Sequence, residues 1–210
     1  MKVIAINGSP RSDGNTFHAL NMAGAELISQ GIEFEILHIG HEMIHGCLAC
    51  YNCVKNKDEK CAIKTDDMNL WIQQLKQADG IILGSPVYYS GIAGTMKSFL
   101  DRLFFVASAN STFRGKVGAS VVAVRRSGGS STFDSLNHYI MYSEMIVATS
   151  SYWNVIHGGA PGEAEQDLEG TQVMRVLGKN MAWLLKVREA TAGTIEQAAK
   201  EKKVVTSFIR

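Results

Sequence analysis

The feature that most constrains this chain is a regular alternation of short apolar runs with longer amphipathic segments. The run KVIAIN at 2–7 is almost wholly apolar and ends at Gly8, which is typical of a strand buried on both faces. The segment 15–30 then places apolar residues at helical spacing and stops at Gly31. Because the connections are too long for hairpins, the repeated pattern predicts a parallel sheet covered by helices on both faces.

The alternation continues along the rest of the chain. The remaining predicted strands are those at 33–39, within 80–91, at 116–124 and within 145–156. The remaining predicted helices are those from a cap at Thr65 or Asp66 to Gly80, at 94–105, at 131–143 and at about 167–189. The tail VVTSFI at 204–209 is expected to be either a short strand or an arm that reaches a neighbouring subunit.

The composition sets limits on partners and location. Of the 210 residues 46% are hydrophobic, enough for one buried core, and nothing demands a second domain. The 21 basic and 20 acidic residues nearly cancel, so neither nucleic acid nor an anionic membrane is an expected partner. The run at 3–6 is too short for a signal peptide, and no later segment approaches a membrane span. We therefore expect a cytoplasmic protein with small-molecule or protein partners.

The first of three unusual loops follows the first strand, where ligands of such sheets bind. The stretch NGSPRSDGNT at 7–16 is rich in small residues, whose backbone N–H groups can converge on an anion at the start of the next helix. Hydroxyls, a cationic side chain and a capping amide are supplied by Ser9, Ser12, Thr16, Arg11 and Asn15. The lysine of a Walker A loop and the spacing GxGxxG are missing, which disfavours a nucleoside triphosphate. We interpret the loop as a phosphate cradle, with an ordinary polar turn as the alternative.

The second and third loops follow the next buried strands. SPVYYSGIAG at 85–94 places Tyr88 and Tyr89 where aromatic side chains can pack on a flat ring, although they can equally cover the core or face another subunit. RRSGGSS at 125–131 offers two guanidinium groups and glycines that permit close approach of the backbone. The alternative for this third loop is a flexible, solvated turn. Both loops are candidates to border a planar ligand.

Together the three loops resemble the flavin mononucleotide (FMN) site of the flavodoxin-like superfamily. More narrowly, GSPRSDGNT followed by SPVYYSGIAGTMKSFLDR is similar to the NADPH-dependent FMN reductase family. The resemblance covers about 1–190 and implies bound FMN in a flavodoxin-like domain there, with 191–210 as its extension. It implies a three-layer α/β sandwich around a doubly wound, five-stranded parallel sheet. By position, the residues implied at the phosphate are Ser9, Arg11, Ser12, Asn15 and Thr16, and those at the ring are Pro86, Val87, Tyr88, Tyr89, Ser90, Gly91, Ser127, Gly128 and Gly129.

A cysteine-rich segment separates the second strand from the next helix. All four cysteines of the chain lie between positions 47 and 61, starting in HGCLACYNC, which is too crowded for chance. In a reducing compartment a structural disulfide is disfavoured, so metal binding or redox work is expected. The spacing is C-x2-C-x2-C-x7-C, formed by Cys47, Cys50, Cys53 and Cys61.

The family resemblance extends to this segment, at about 40–64, because the iron-sulfur flavoprotein branch carries a compact four-cysteine motif in an insertion here. A short coil can turn four thiolates around one 4Fe-4S cluster. Zinc is disfavoured because structural zinc sites usually join two separate cysteine pairs. Free or redox-active thiols remain the alternative, since the seven residues before Cys61 are many for the motif. His41 and His45 are expected to be solvated rather than ligands.

The resemblance implies an FMN-dependent oxidoreductase. Electrons would pass from a reduced nicotinamide, NADPH or NADH, or from ferredoxin, through FMN to a quinone, a free flavin or a one-electron acceptor. No side chain need act as a nucleophile or base, so no catalytic residue is predicted. The alternative is a non-enzymatic electron carrier or redox sensor, although such carriers are typically small and strongly acidic. Exposed flavin sites in the family commonly lie at subunit interfaces, which implies a homodimer or homotetramer.

Overall fold

The computed structural model describes residues 1–209 and is organised around one sheet. Its strands are β1 (Lys2–Asn7), β2 (Glu33–His38), β3 (Gly80–Tyr88), β4 (Gly91–Ile92), β5 (Val117–Val124), β6 (Ile146–Val147) and β7 (Val155–His157). They pair in the order β2-β1-β3-β5-β6, with β7 also on β5 and β4 on β3. Every pairing is parallel except that of β4. This order, with its reversal at β1 and β3, confirms the predicted doubly wound, flavodoxin-like fold.

Helices cover both faces of the sheet, as predicted. They are α1 (Asn15–Ser29), α2 (Asn52–Asn56), α3 (Met68–Gln77), α4 (Gly94–Asn110), α5 (Gly129–Tyr142) and α6 (Leu168–Ala190). Alternate residues of β1 point to opposite faces. Ile4 and Ile6 pack in a core with α3, α4 and α5, whereas Val3 and Ala5 pack in a second core with α1 and α6. The three-layer sandwich is therefore confirmed, and over residues 1–209 no helix has the length and apolar character needed to cross a membrane.

The observed bounds of three helices differ from the predicted ones. The buried stripe of α4 continues beyond position 105, so the helix runs to Asn110. The start of α5 lies at Gly129, inside the segment expected to be a loop, because Gly128 adopts a φ of 90° and turns the chain directly into the helix. The N-cap of α3 is Asp67 rather than Thr65 or Asp66. The end of α4 thus follows its apolar spacing, whereas the starts of α3 and α5 are set by a local hydrogen bond and a backbone angle that this spacing does not report.

The fifth strand, predicted within 145–156, is divided into β6 and β7. Of these, β6 pairs with the start of β5 and β7 with its end, and the segment 149–153 leaves the ladder between them. The buried Asn154 bridges this gap. The side-chain amide of Asn154 donates to the backbone carbonyl of Ser120 at 3.0 Å. The backbone carbonyl of Asn154 accepts from the N–H of Val122 at 2.9 Å. The side chain of Asn154 thus satisfies the carbonyl of Ser120, which one continuous strand would have paired with a backbone N–H.

The tail after α6 contains no strand within the described positions 191–209, so the strand alternative for 204–209 is wrong. The tail instead lies along the ends of α4 and α5. The guanidinium of Arg114 donates to the carbonyl of Ala198 at 2.6 Å, and the ammonium of Lys203 lies 4.0 Å from the ring centre of Tyr142. The arm alternative stays a prediction.

Candidate functional site

The loop at 7–16, here called the phosphate loop, leads from β1 directly into the first turn of α1. Two local hydrogen bonds shape it, from the N–H of Ser9 to the side-chain oxygen of Asn7 at 3.0 Å and from the N–H of Arg11 to the hydroxyl of Ser9 at 3.2 Å. The N-cap of α1 is Gly14, and no side chain among residues 1–209 caps it, although Asn15 was expected to do so. The backbone N–H groups of the first turn therefore remain available to an anion.

Two buried polar atoms in this loop have no hydrogen-bond partner within residues 1–209. They are the hydroxyl oxygen of Thr16 and the side-chain nitrogen of Asn7, in residues that are 1% and 0% exposed. A buried polar atom without a partner is costly, so such atoms usually mark a missing water, ion or ligand. The Thr16 hydroxyl lies on the first turn of α1, beside the open N–H groups, and fits an acceptor oxygen of a phosphate.

Asn15 is engaged elsewhere in this structure. Its side chain donates to the carbonyl of Ala160 at 2.9 Å and accepts from the N–H of Ala164 at 3.1 Å. Nearby, the His18 ring lies 2.7 Å from the carboxylate of Glu165. The segment 158–166 is thereby held against the phosphate loop, a contact that the sequence did not reveal. The role of Asn15 at a phosphate stays a prediction.

The segment 158–166 is itself closed by one carboxylate. Glu163 accepts from the N–H of Gly159 at 2.7 Å and from the N–H of Ala160 at 2.8 Å. These backbone donors, Ala160 first, lower the pKa of Glu163 below its ordinary value of 4.5. Because Ala160 also bonds to Asn15, the closed segment and the phosphate loop are fixed together.

The second loop is a tight hairpin, a feature that sequence reasoning missed. Tyr88 pairs with Gly91 in the antiparallel ladder of β3 and β4. The two central residues, Tyr89 and Ser90, have φ angles of 50° and 59°, the pattern of a type I′ turn. Residues other than glycine, asparagine and aspartate rarely adopt this backbone conformation. The turn leaves Tyr89 at the tip, fully exposed, where a planar ligand could pack.

The third loop packs directly on this hairpin. A methyl group added at Gly128 would lie 2.7 Å from the Cα of Ser90, and the hydroxyl of Ser131 donates to the carbonyl of Ser90 at 2.8 Å. The first loop is joined to the same strand end through a 2.9 Å bond from Gly8 N–H to the Gly84 carbonyl. The structure therefore brings all three predicted loops to one end of the sheet.

A cavity of about 520 Å³ lies beside the third loop. Its wall includes the predicted Ser127, Gly128 and Gly129, and also Tyr152 and Trp153. The last two come from the segment that interrupts the fifth strand, so sequence reasoning did not connect them with the site. Their rings pack edge to face with centres 4.2 Å apart, which adds an aromatic wall to this end of the sheet.

The cysteine segment runs from the end of β2 to α3 and contains one short helix, α2. Cys47 and Cys50 are exposed, Cys61 is half-buried and Cys53 is buried. Burial raises the pKa of the Cys53 thiol. All four line one small recess beside α4, which makes the donor set that of a thiolate metal site. Their arrangement is open, because no three of the His, Cys, Asp and Glu side chains in residues 1–209 lie as a metal ion would require.

The recess is completed by Arg102, which sequence reasoning missed. This α4 side chain is 1% exposed, although its charge would favour water. Its Nε–H donates to the sulfur of Cys61 at 3.3 Å, and its terminal nitrogens bond to the carboxylate of Asp66. Burial alone would raise the pKa of Asp66, but the guanidinium outweighs burial and the pKa is lowered. The signal for Arg102 in the sequence was an arginine on the otherwise apolar stripe of FLDRLFF.

Comparison with known sequences identifies the family of this chain. A family model described as NADPH-dependent FMN reductase matches residues 1–160. The chain belongs to the NADPH-dependent FMN reductase family. Within it, an iron-sulfur flavoprotein of Methanocaldococcus jannaschii is 34% identical over 194 residues, covering 89% of this chain and 98% of the relative. The family consists of FMN-binding oxidoreductases with the flavodoxin-like fold.

Solved structures share the fold of this FMN reductase family member at low sequence identity. RosB, with the bound intermediate 8-demethyl-8-formylriboflavin-5'-phosphate, has a TM-score of 0.73 and 14% identity, covering 100% of this chain and 94% of RosB. An NAD(P)H:quinone oxidoreductase from Methanothermobacter marburgensis has a TM-score of 0.62 and 13% identity, covering 86% and 96% of the two chains. At these identities the likeness concerns the fold alone.

Proposed function

We propose that this protein is an FMN-dependent oxidoreductase that takes electrons from NADPH, NADH or reduced ferredoxin and passes them to a quinone, a free flavin or a one-electron acceptor. The observation that carries the proposal is the unpartnered Thr16 hydroxyl beside the open first turn of α1. An FMN phosphate would satisfy both. Membership of an FMN-binding family, and a fold shared with an NAD(P)H:quinone oxidoreductase, support the same reading.

Each loop has a distinct task in this proposal. The backbone of the first turn of α1 and the hydroxyls of Ser9, Ser12 and Thr16 bind the phosphate, and the exposed Arg11 adds charge. The hairpin from Pro86 to Gly91 borders the ring, and Ser127, Gly128 and Gly129, which pack on this hairpin, line the adjoining edge of the ring. Bound FMN would accept a hydride from the nicotinamide and release electrons to the acceptor.

No side chain is asked to act as a nucleophile or base. The chain has to hold the ring flat and leave one face open to two different substrates in turn. The hairpin suits this task because its tip, Tyr89, is fully exposed and its turn is fixed on the third loop by Ser131. A rigid support with an accessible face is what transient nicotinamide binding requires.

We also propose that Cys47, Cys50, Cys53 and Cys61 hold a 4Fe-4S cluster. The support comes from the chemistry of four thiols around one recess and from the name of the relative, an iron-sulfur flavoprotein. A cluster would supply single-electron steps, which makes ferredoxin a plausible partner. The open arrangement of the sulfurs favours a second candidate, redox-active thiols that work without iron.

The assembly and location in this proposal are those expected from the sequence. Exposed aromatic and apolar side chains such as Tyr142, Met141 and Trp183 suit the surface of a homodimer or homotetramer. Four reduced cysteines suit the cytoplasm. Light scattering on the FMN-loaded protein measures the assembly directly, and a monomer would reject it.

The test of the proposed function is turnover by the protein loaded with one FMN per chain. Oxidation of NADPH and of NADH is followed without oxygen, with a soluble quinone or free FMN as acceptor, and reduced ferredoxin is tried as donor. We expect multiple turnovers with at least one donor. A fully loaded protein that turns over with none of them would be a carrier or a sensor. An absorption spectrum with iron and zinc analysis decides separately between cluster and free thiols.

A further inference from the structure

Arg102 is a buried charge that the proposed flavin chemistry does not use. Placing a guanidinium in the interior costs several kcal/mol unless its donors are satisfied. Here they are satisfied by groups of the cysteine segment: the sulfur of Cys61 at 3.3 Å, the carbonyl of His45 at 3.3 Å, the carbonyl of Ile63 at 3.4 Å and the carboxylate of Asp66 at 2.9 Å. Every partner of this side chain therefore belongs to the connection between β2 and α3.

These partners lie on both sides of the four cysteines in the sequence. His45 precedes the first cysteine, and Ile63 and Asp66 follow the last one. One side chain thus ties the beginning and the end of the loop at 45–66 to the same point on α4. Closing a flexible loop costs conformational entropy, and a buried multidentate anchor offsets this cost.

The anchor also relates the cysteine loop to the ring loops. Helix α4 begins at Gly94, directly after the β3–β4 hairpin, and Arg102 is eight residues further along. At 1.5 Å per residue this places the anchor about 12 Å along a rigid helix. The helix and Arg102 consequently help to set the position of the cysteines relative to the hairpin, together with Asn69 of α3, which bonds to the backbone of Cys61.

We propose that Arg102 is the positioning residue of the four-cysteine site. Its guanidinium fixes the loop at 45–66 on α4, and its Nε–H bond to the sulfur of Cys61 stabilises the electron-rich form of that ligand. Asp66 holds the guanidinium in the required orientation through two of its N–H groups. The proposal rests on the proposed function for the cluster. In the metal-free protein, Arg102 holds the same loop in the same position.

The first experiment compares Arg102→Lys with wild type after anaerobic reconstitution with iron and sulfide. Lysine keeps the charge but lacks the Nε–H and the planar fork that reach Cys61 and Asp66 together. Loss of such an outer hydrogen bond typically weakens metal binding, so we expect iron to leave for a chelator about 10–100-fold faster. The midpoint potential of the cluster should become more negative, because hydrogen bonds to sulfur favour the reduced form.

Controls separate this role from general support of the fold. Arg114→Lys changes another arginine, one bonded to Glu144 and to the tail, and should leave iron release and the potential unchanged. The FMN dissociation constant should be unchanged in both variants. Iron release and potential equal to wild type in Arg102→Lys would overturn the proposal. A parallel loss of FMN affinity would also overturn it, because the defect would then be global.

A second measurement does not depend on iron. In the metal-free protein the buried Cys53 is expected to be alkylated far more slowly than the exposed Cys50, as mass spectrometry of the modified peptides will show. Releasing the loop in Arg102→Lys, or in Asp66→Asn if the first variant does not fold, should bring the two rates together. An unchanged ratio of rates would contradict the positioning role. Wild-type protein that takes up no iron would reject the cluster alone and leave this measurement valid.

Discussion

The flavin end of the sheet and the cysteine segment are built in opposite ways. Each flavin loop spans only the gap between a strand and the next element, and each is bonded to another loop or strand end, as Ser131 is to Ser90. The cysteine segment contains one five-residue helix and is held by side chains of the neighbouring helices, Arg102 near both of its ends and Asn69 at Cys61. In the proposed function, the FMN site is therefore formed by backbone segments at one end of the sheet, whereas the cysteine site relies on side chains of neighbouring helices, of which Arg102 makes the most bonds.

The two regions also differ in how their left-handed backbone residues are held in place. Tyr89 and Ser90 in the hairpin, and Ala49 and Tyr51 between the cysteines, all have left-handed φ angles. Such residues persist when their surroundings over-determine them, and they tend to mark functional sites. The hairpin turn is held by a strand ladder and by the third loop, whereas the ring of Tyr51 packs on the ring of Phe105 in α4, with centres 5.5 Å apart. We expect the two regions to respond differently to mutation.

The largest effect on stability is expected from breaking the anchor of the cysteine segment. Arg102→Met leaves the carboxylate of Asp66 buried without its partner, which should lower the free energy of unfolding by about 3–5 kcal/mol. Urea unfolding measures this, with the more exposed Arg114→Met as the matched control. A loss equal to that of the control would mean that Arg102 does not hold the segment.

The next largest effect tests the rigidity of the flavin end. A methyl group at Gly40 would lie 2.0 Å from the carbonyl oxygen of Ser9, so Gly40→Ala must displace the phosphate loop. Overpacking of this kind costs about 3 kcal/mol, and FMN binding should fall with it. Gly94→Ala, which meets nothing within 4 Å, is the control for thermal unfolding and FMN titration. Equal FMN affinity in both variants would contradict a tight cradle.

A smaller effect separates binding from stability. Thr16→Val removes the unpartnered hydroxyl but keeps the shape of the side chain, so the apoprotein should not lose stability. The hydrogen bond to a charged phosphate is worth about 1.5 kcal/mol, so FMN affinity should fall about ten-fold. Thr191→Val, at the C-terminal end of α6 and bonded to Val187, is the control and should not change the affinity. Unchanged FMN binding in Thr16→Val would move the phosphate elsewhere.

The smallest effect concerns pH at the segment 158–166. Because backbone N–H groups lower the pKa of Glu163 below 4.5, its contribution is fully present above pH 4.5 and is lost as the pH falls through the lower folded value. Hydrogen exchange at Gly159 and Ala160, measured relative to Glu163→Ala at each pH, should show protection that disappears only in that acidic range. Protection lost near neutral pH would contradict the assignment.

The sequence was most informative where one periodicity decides the structure. The buried strands at 2–7 and 116–124 and the helix α6 follow from apolar spacing, because burial on the sheet imposes it. The type I′ turn at Tyr89 and Ser90 was not predictable, since these residues do not normally favour it. The partners of Asn15 and Arg102 lie far along the chain, and only the tertiary fold brings them into contact. Local patterns do not carry such contacts.

We infer that the three loops bind FMN independently of the cysteines. The most direct test is a fluorescence titration of FMN with the apoprotein and with a variant in which Cys47, Cys50, Cys53 and Cys61 are all serine. We expect one FMN per chain in both, with dissociation constants equal within about two-fold. A folded variant that no longer binds FMN would contradict it.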